Sequence, residues 1–262
     1  MTDSTILVDT DPRGVATVTL NRPTIHNAFD DRLIVDLTEA LRRLEADPAV
    51  RVVLLTGNGQ SFSAGGDLNW MRRMAGYSDA ENFADALALA ELLRTLNELA
   101  KPTVARVNGA AYAGGLGLVC CCDVAVAAVE AVFCISEVRL GLVPATISPY
   151  VVAAIGARAA RRYFLTGERF SAEEARRIGL VHEVAPLAGL GAASDRIVGA
   201  LLEGGTGAQA RSKRLIAEVQ DRPVTGTLMS LTARAIADAR ASSEAREGLA
   251  AFFDKRKPGW KR

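Results

Sequence analysis

Two glycine-rich segments constrain this chain more than any other feature of its sequence. They are AGGD at residues 64–67 and GGLG at residues 114–117, and each precedes a segment with helical character. Short apolar runs of the kind that form buried strands come before them, at residues 52–55 and 104–107. Strand–glycine–helix units point backbone N–H groups at one spot, so the pair predicts a site for a negatively charged oxygen.

Composition limits the remaining possibilities. A chain of 262 residues that is 49% hydrophobic suits one large domain, or a domain with a small C-terminal subdomain. The formal charge of +1 comes from 31 basic and 30 acidic residues, so we expect no nucleic-acid partner. We find no signal-peptide pattern and no apolar run of the ~18 residues that a membrane helix needs, which predicts a cytoplasmic protein without a membrane partner.

Cysteine and histidine spacing predicts no metal site. Cys120, Cys121 and Cys122 are consecutive within an apolar stretch, which fits neither a zinc-binding pair nor a disulfide framework. Buried reduced thiols are therefore expected, because a free cysteine behaves as a small apolar residue. His26 and His182 lie far apart and lack the spacing of metal ligands.

Strands and helices alternate up to about residue 190, and only helical periodicity follows. This order predicts an α/β core over residues 1–190 and a C-terminal helical subdomain over residues 191–262. The predicted strands are 15–20, 50–56, 103–107, 123–128, 131–136 and 181–184, and the predicted helices of the core are 31–44, 82–99, 116–122, 147–155 and 171–179. A further helix is expected to start near Leu68, with Asp67 as its cap.

Other sites that use glycine turns fit the sequence poorly. A dinucleotide-binding G-x-G-x-x-G pattern starts at Gly115 but meets Cys120 at its third glycine position. No Lys-Ser or Lys-Thr pair follows either turn, as a P-loop requires, and no G-x-S-x-G motif is present. What remains is a pair of backbone turns and an acid, Glu137, which follows the predicted strand 131–136 and is expected to converge on the second turn.

Several longer motifs, in the same order, resemble the crotonase superfamily of enoyl-CoA hydratases and isomerases. They span nearly the whole chain: NRP (21–23) with NA (27–28), FSAGGDL (62–68), KPTVARVNG (101–109), GG (114–115), CD (122–123), LTG (165–167), GLV (179–181) and FFDKRK (252–257). The resemblance implies a spiral of ββα repeats, a helical trimerisation subdomain, and assembly as a homotrimer or a dimer of trimers. It also implies an acyl-CoA substrate, with coenzyme A as part of that substrate and no separate cofactor.

The resemblance assigns roles to individual residues. The backbone N–H groups of Gly66 and Gly114 would bind the thioester oxygen and stabilise an enolate. Loss of one such donor typically costs ~3–4 kcal/mol of transition-state stabilisation. Contacts to coenzyme A would come from Ala28, Ala64, Gly65, Asp67, Leu68 and Phe252, and from Lys255, either of the same chain or of a neighbouring subunit.

One position departs from the family pattern. Well-known hydratases use two glutamates, and Glu137 matches the second whereas Gly117 stands in place of the first. A single carboxylate is also typical of Δ3,Δ2-enoyl-CoA isomerases, while residues 139–150 resemble bacterial methylglutaconyl-CoA and isohexenylglutaconyl-CoA hydratases. We expect hydration of a branched or carboxylated 2-enoyl-CoA, with Glu137 handling the water and Gly117 giving room to the substrate. An isomerase, and a non-catalytic protein that binds a CoA ester or RNA, remain alternatives.

Overall fold

A computed structural model describes residues 4–261 of the protein. The strands are β1 Ile6–Thr10, β2 Val15–Leu20, β3 Val52–Gly57, β4 Ser61–Ser63, β5 Thr103–Val107, β6 Ala110–Tyr112, β7 Val124–Ala128, β8 Val132–Cys134, β9 Arg169–Ser171 and β10 Glu183–Ala185. The α-helices are α1 Asp31–Ala46, α2 Leu68–Met74, α3 Asp79–Glu98, α4 Gly114–Cys121, α5 Ser148–Thr166, α6 Ala172–Arg177, α7 Leu190–Leu202, α8 Thr206–Val219, α9 Gly226–Ala241 and α10 Ser243–Phe253.

The strands form two sheets. The larger has the order β1-β2-β3-β5-β7-β10, in which β1 pairs antiparallel with β2 and the other neighbours are parallel. The smaller has the order β4-β6-β8-β9, and its first three strands are parallel. Three successive pairs of strands contribute their first strand to the larger sheet and their second to the smaller: β3 and β4, β5 and β6, and β7 and β8. A helix follows each pair, which confirms the predicted α/β spiral of ββα repeats.

Strands β4 and β6 of the smaller sheet were not predicted, and neither were β1 and β9. β4 has the sequence SFS and β6 the sequence AAY, and three residues are too few to show an alternating pattern. They lie between the predicted apolar strands and the glycine turns. Both turns therefore leave the smaller sheet, and not the larger one as the sequence suggested.

Capping side chains set the ends of several helices. Asp67 accepts hydrogen bonds from the backbone N–H groups of Asn69 and Trp70, as predicted, and so begins α2. A capping box between Ser78 and Glu81 begins α3 three residues before the predicted start. The first glycine turn is thus followed by two helices, α2 and α3, and α3 packs on both α1 and α4.

Apolar residues of both sheets and of the helices packed on them form the core. Helix α7 packs on β3, β5, β7 and β10, where Val198 is fully buried with Val52, Leu54 and Val104 of the larger sheet. Helices α8, α9 and α10 pack on one another beyond it. The division at residues 190/191 stays a prediction, and the packing of α7 makes that helix part of the sheet's cover.

Asp123 joins the helical region to the core. Its Oδ2 atom accepts hydrogen bonds from the Thr103 backbone N–H (2.8 Å), from the Thr103 hydroxyl (3.0 Å) and from Lys213 Nζ of α8 (2.9 Å). Its own N–H donates to the Thr103 hydroxyl oxygen at 2.8 Å. The amino ends of β5 and β7 and the middle of α8 are therefore held by one carboxylate.

The cysteines are free thiols, and three of them (Cys121, Cys122 and Cys134) are buried. Burial raises the pKa of Cys122 to about 12, so this sulfur stays protonated at neutral pH. These observations agree with the predicted apolar packing role. Among the described residues, no helix is both long enough and apolar enough to span a membrane.

We predict that Asp123→Ala lowers the free energy of unfolding by roughly 2–3 kcal/mol, because the Thr103 N–H in β5 loses its acceptor. The control Lys213→Met removes only the ion pair and is expected to cost less than about 1 kcal/mol. Urea unfolding followed by circular dichroism measures both. Equal costs for the two variants would contradict the assignment.

Candidate active site

Three segments that carry candidate catalytic groups follow the carboxyl ends of neighbouring parallel strands. The turn with Gly66 follows β4, the turn with Gly114 follows β6, and Glu137 comes three residues after the end of β8. Ligands commonly bind at this end of parallel strands. Since adjacent strands lie about 4.8 Å apart, the smaller sheet brings together three groups that are spread over 72 residues of sequence.

Direct packing of the two turns requires glycine at two positions. Gly65 has φ of 88°, a left-handed conformation, and a Cβ added there would lie 3.2 Å from the Cβ of Ala113. A Cβ added to Gly115 would lie 2.7 Å from both the Cβ and the carbonyl oxygen of Ser63. The turns therefore touch through backbone, and a larger side chain at either position would separate them.

Within the described residues, the backbone N–H groups of Gly66 and Gly114 donate to no protein acceptor. The neighbours of Gly66 are held firmly, because the Phe29 N–H donates to the Gly65 carbonyl and the Asp67 N–H donates to the Phe29 carbonyl, both at 2.7 Å. Gly114 is the first residue of α4, where the helix dipole favours a negative charge. These two free donors are what an oxyanion site needs.

Strain and packing fix the second turn. Ala113, the residue before α4, has φ of 47° and ψ of −119°, a conformation that costs a non-glycine residue about 1–3 kcal/mol. The Phe29 ring lies under the turn, 3.6 Å from where a Cβ on Gly114 would stand. Phe29 therefore contacts both turns, one through its backbone and the other through its ring.

The segment predicted to bind coenzyme A lies beside the first turn. Ala28 is buried, and the Ala64 N–H donates to the carbonyl of His26 at 2.9 Å. Leu68, the first residue of α2, is 67% exposed and offers an open apolar surface. The structure thus brings together the two loops to which the family resemblance assigns the coenzyme.

Phe252 and Lys255 lie elsewhere in the same chain. Phe252 is in α10, which packs on α8 and α9, and the segment after it runs to the amino end of β3, where Arg51 donates to the Trp260 carbonyl at 2.8 Å. The glycine turns lie beyond the opposite ends of the strands. Within the described residues, no hydrogen bond or ion pair joins either residue to the turns, and the Lys255 prediction, for the same chain or for a neighbouring subunit, stays a prediction.

Glu137 provides a buried carboxylate. It begins a short 3-10 helix, Glu137–Leu140, instead of ending a strand as predicted. Its Oε2 atom is buried and has no hydrogen-bond partner among the described residues. Burial raises the pKa of this carboxyl group, and a hydrogen bond from its own backbone N–H offsets part of that effect. A desolvated carboxylate with one unpartnered oxygen is a stronger proton acceptor than one in water.

The expectation that Gly117 leaves open space is wrong. A Cβ at this buried position would overlap Cγ2 of Ile147, and would lie 3.1 Å from the Ile147 Cβ and 3.4 Å from Cδ2 of Leu93. Ile147 is 1% exposed. An apolar side chain from the start of α5 therefore fills the place where the family pattern has its first glutamate.

Sequence reasoning named the NRP motif but missed the role of its arginine. Arg22 donates to the Ala28 carbonyl at 2.7 Å and forms ion pairs with Asp30 (2.8 Å) and Asp67 (3.1 Å). The partners are as many as 45 residues away in the chain, so no local pattern indicates the network. For a metal, the described residues contain no group of three or more potential side-chain ligands in suitable positions.

Comparisons with known proteins agree with this geometry. A family model described as enoyl-CoA hydratase/isomerase matches residues 10–262. The crystal structure of an enoyl-CoA hydratase from Shewanella pealeana is 42% identical with a TM-score of 0.95, covering 98% of this chain and 96% of that one.

Two curated relatives differ in the activity that their names describe. A mitochondrial enoyl-CoA hydratase from Pongo abelii is 30% identical, covering 94% of this chain and 83% of its own. A hydroxycinnamoyl-CoA hydratase-lyase from Pseudomonas fluorescens is 36% identical over 193 residues, covering 72% and 70%. The fold, the paired turns and these matches together establish that the chain is an enzyme of the enoyl-CoA hydratase/isomerase family, which is the crotonase superfamily.

Proposed function

We propose that the protein hydrates a 2-enoyl-CoA thioester. The observation that supports this most directly is that two free backbone donors, on Gly66 and Gly114, and the buried, unpartnered Oε2 atom of Glu137 follow neighbouring parallel strands of one sheet. The donors suit a thioester oxygen that gains negative charge. The carboxylate suits a proton transfer at the neighbouring carbon atoms.

In the proposed reaction the thioester oxygen accepts hydrogen bonds from Gly66 and Gly114. Glu137 takes a proton from water as the water oxygen forms a bond to the β-carbon of the substrate. The electron pair of the double bond moves towards the thioester, giving an enolate whose charge lies on the oxygen. Glu137 then returns its proton to the α-carbon, so that one carboxyl group performs both transfers.

Double-bond isomerisation is the second candidate, and the position of Ile147 favours it. Because this side chain fills the place of the family's first glutamate, no carboxylate of the described residues stands at that place to hold the water. A 3-enoyl-CoA could lose an α-proton to Glu137 and regain it at the γ-carbon through a conjugated dienolate, whose negative charge lies on the same thioester oxygen. Incubation with crotonyl-CoA, 3-methylglutaconyl-CoA and a 3-enoyl-CoA, with product identification, distinguishes the two reactions. Binding without any turnover would indicate a non-catalytic CoA-ester protein.

A branched or carboxylated acyl group remains part of the proposal. The similarity of residues 139–150 to methylglutaconyl-CoA and isohexenylglutaconyl-CoA hydratases supports it. Free space at Gly117 does not support it, because Ile147 fills that space. We further propose a homotrimer, or a dimer of trimers, in which a neighbouring subunit brings Lys255 to a coenzyme phosphate. Strong exposure of apolar residues at the end of α10, with Phe252 at 77% and Phe253 at 73%, supports burial of this surface in an assembly.

We predict that Glu137→Gln lowers kcat/KM by at least about 100-fold, because proton transfer by a positioned carboxylate typically contributes that much. The affinity for coenzyme A is expected to stay within about twofold. Steady-state hydration assays and isothermal calorimetry measure the two quantities. Near-normal turnover would exclude the role of Glu137.

The Glu137→Gln variant is also expected to change the unfolding temperature in a pH-dependent way. Since burial raises the Glu137 pKa above its ordinary value, the charged carboxylate destabilises the fold at neutral pH, and glutamine removes that cost. Glu137→Gln should therefore unfold at a higher temperature than the wild type at pH 7.5. The difference should vanish below about pH 4.5, where the wild-type carboxyl is protonated in both folded and unfolded chains.

We predict that Gly117→Glu alone destabilises the fold by about 1–3 kcal/mol, because the new side chain overlaps Ile147. The double variant Gly117→Glu with Ile147→Ala should be more stable than the sum of the single effects by about 1 kcal/mol or more. It should also increase hydration of crotonyl-CoA relative to the Gly117→Glu variant. Ile147→Ala is the matched control, and additive losses would contradict the overlap.

For the assembly, we predict that Phe252→Ser with Phe253→Ser lowers the molecular mass in solution from three or six copies to one. The physical reason is the loss of exposed apolar area at the end of α10. Sedimentation velocity measures the mass. Val35→Ser on α1, which changes another half-exposed apolar residue, is the control and should leave the assembly intact.

A further inference from the structure

Arg22 links three parts of the candidate site. Its Nη1 donates to the Ala28 carbonyl at 2.7 Å, and its Nη2 lies 2.8 Å from an Asp30 carboxylate oxygen and 3.1 Å from one of Asp67. The three side chains are only 19%, 17% and 11% exposed, respectively. Shielding from water makes these charge-assisted bonds stronger and more rigid than ion pairs on the surface.

Each aspartate holds an element next to the first glycine turn. Asp30 accepts from the Leu33 N–H and begins α1, whereas Asp67 accepts from two N–H groups and begins α2. Asp67 also directly follows Gly66, and its own N–H donates to the Phe29 carbonyl. Asp67 is thus covalently next to Gly66, and Asp30 is connected to it through Phe29 and the two hydrogen bonds of Phe29 to the first turn.

The charges of this cluster matter as much as its geometry. Without Arg22, two carboxylates would stand close to the place where the thioester oxygen becomes negative. Like charges in a partly buried site disfavour such an anion. Arg22 offsets one of the two negative charges, and its planar fork orients both carboxylates in a way that a single ammonium group does not.

We propose that Arg22 is a positioning residue that holds the Gly66 N–H in the direction of the thioester oxygen and lowers the negative potential there. This inference rests on the proposed oxyanion function of Gly66. This role differs from general stabilisation of the fold because it concerns one hydrogen bond, from the Gly66 N–H to the thioester oxygen of the ligand. A ligand pair that differs only at that atom can therefore test it.

The test compares acetyl-CoA with ethyl-CoA, a thioether that has a methylene group where the thioester has its carbonyl. Calorimetry on the full-length protein gives the ratio of the two dissociation constants without any turnover. For the wild type we expect acetyl-CoA to bind about tenfold more tightly, as for two ordinary hydrogen bonds. Arg22→Met should reduce this ratio at least threefold, whatever its effect on the affinity for coenzyme A itself.

Arg73→Met is the matched control. Arg73 of α2 pairs with Asp31 of α1 at 2.7 Å, so it joins the same two helices, but the pair is exposed and does not contact Ala28 or Asp67. Its ratio should equal that of the wild type. Arg22→Lys keeps the charge and provides a milder variant should Arg22→Met fail to fold; its ratio is expected between those of Arg22→Met and the wild type.

The outcomes separate the two proposals. A wild-type ratio near one would overturn the oxyanion function of Gly66, and with it the role of Arg22. A wild-type preference for acetyl-CoA that persists in the Arg22 variants would overturn the positioning role alone. A purely structural role would weaken both ligands equally and leave the ratio unchanged, which would also overturn the proposal.

Discussion

The backbone contact between the two glycine turns is the constraint on which the candidate site depends. Gly115 approaches Ser63 too closely for any side chain, and Gly65 adopts a left-handed conformation beside Ala113. Because the turns touch, the free N–H groups of Gly66 and Gly114 within them are fixed relative to each other. The smaller sheet sets this contact, since its parallel strands β4 and β6 end at the same edge.

Burial then determines what the third group can do. Glu137 follows β8 in that sheet, and its buried Oε2 atom has no partner in the part of the chain that the structure describes. Ile147 fills the position of the family's first glutamate, so an apolar side chain stands where a second carboxylate would otherwise accompany Glu137. A lone desolvated base beside two N–H donors is suited to move one proton between neighbouring atoms. Hydration and isomerisation both place negative charge on the thioester oxygen, so the same two N–H donors serve either reaction.

Local signals predicted much of the fold. The strand at residues 103–107 was predicted with its observed bounds, α1 was predicted within two residues, and Asp67 was identified as the cap of α2. The three-residue strands β4 and β6 were missed because their pairing energy comes from neighbouring strands and not from their own composition. Glu137 was placed at a strand end but begins a 3-10 helix, since β8 stops at Cys134.

The sequence by itself determined the family, the spiral architecture and the identity of the two turns, because glycine spacing and long motifs are local properties. Only the tertiary structure decided that the position beside Gly117 is filled, and that Arg22 joins Asp30, Asp67 and Ala28. Ile147 lies 30 residues from Gly117, and Asp67 lies 45 residues from Arg22. Such contacts depend on how α5 packs on α4 and how the loop before α1 pairs with the first turn. No periodic pattern in the chain encodes those distances.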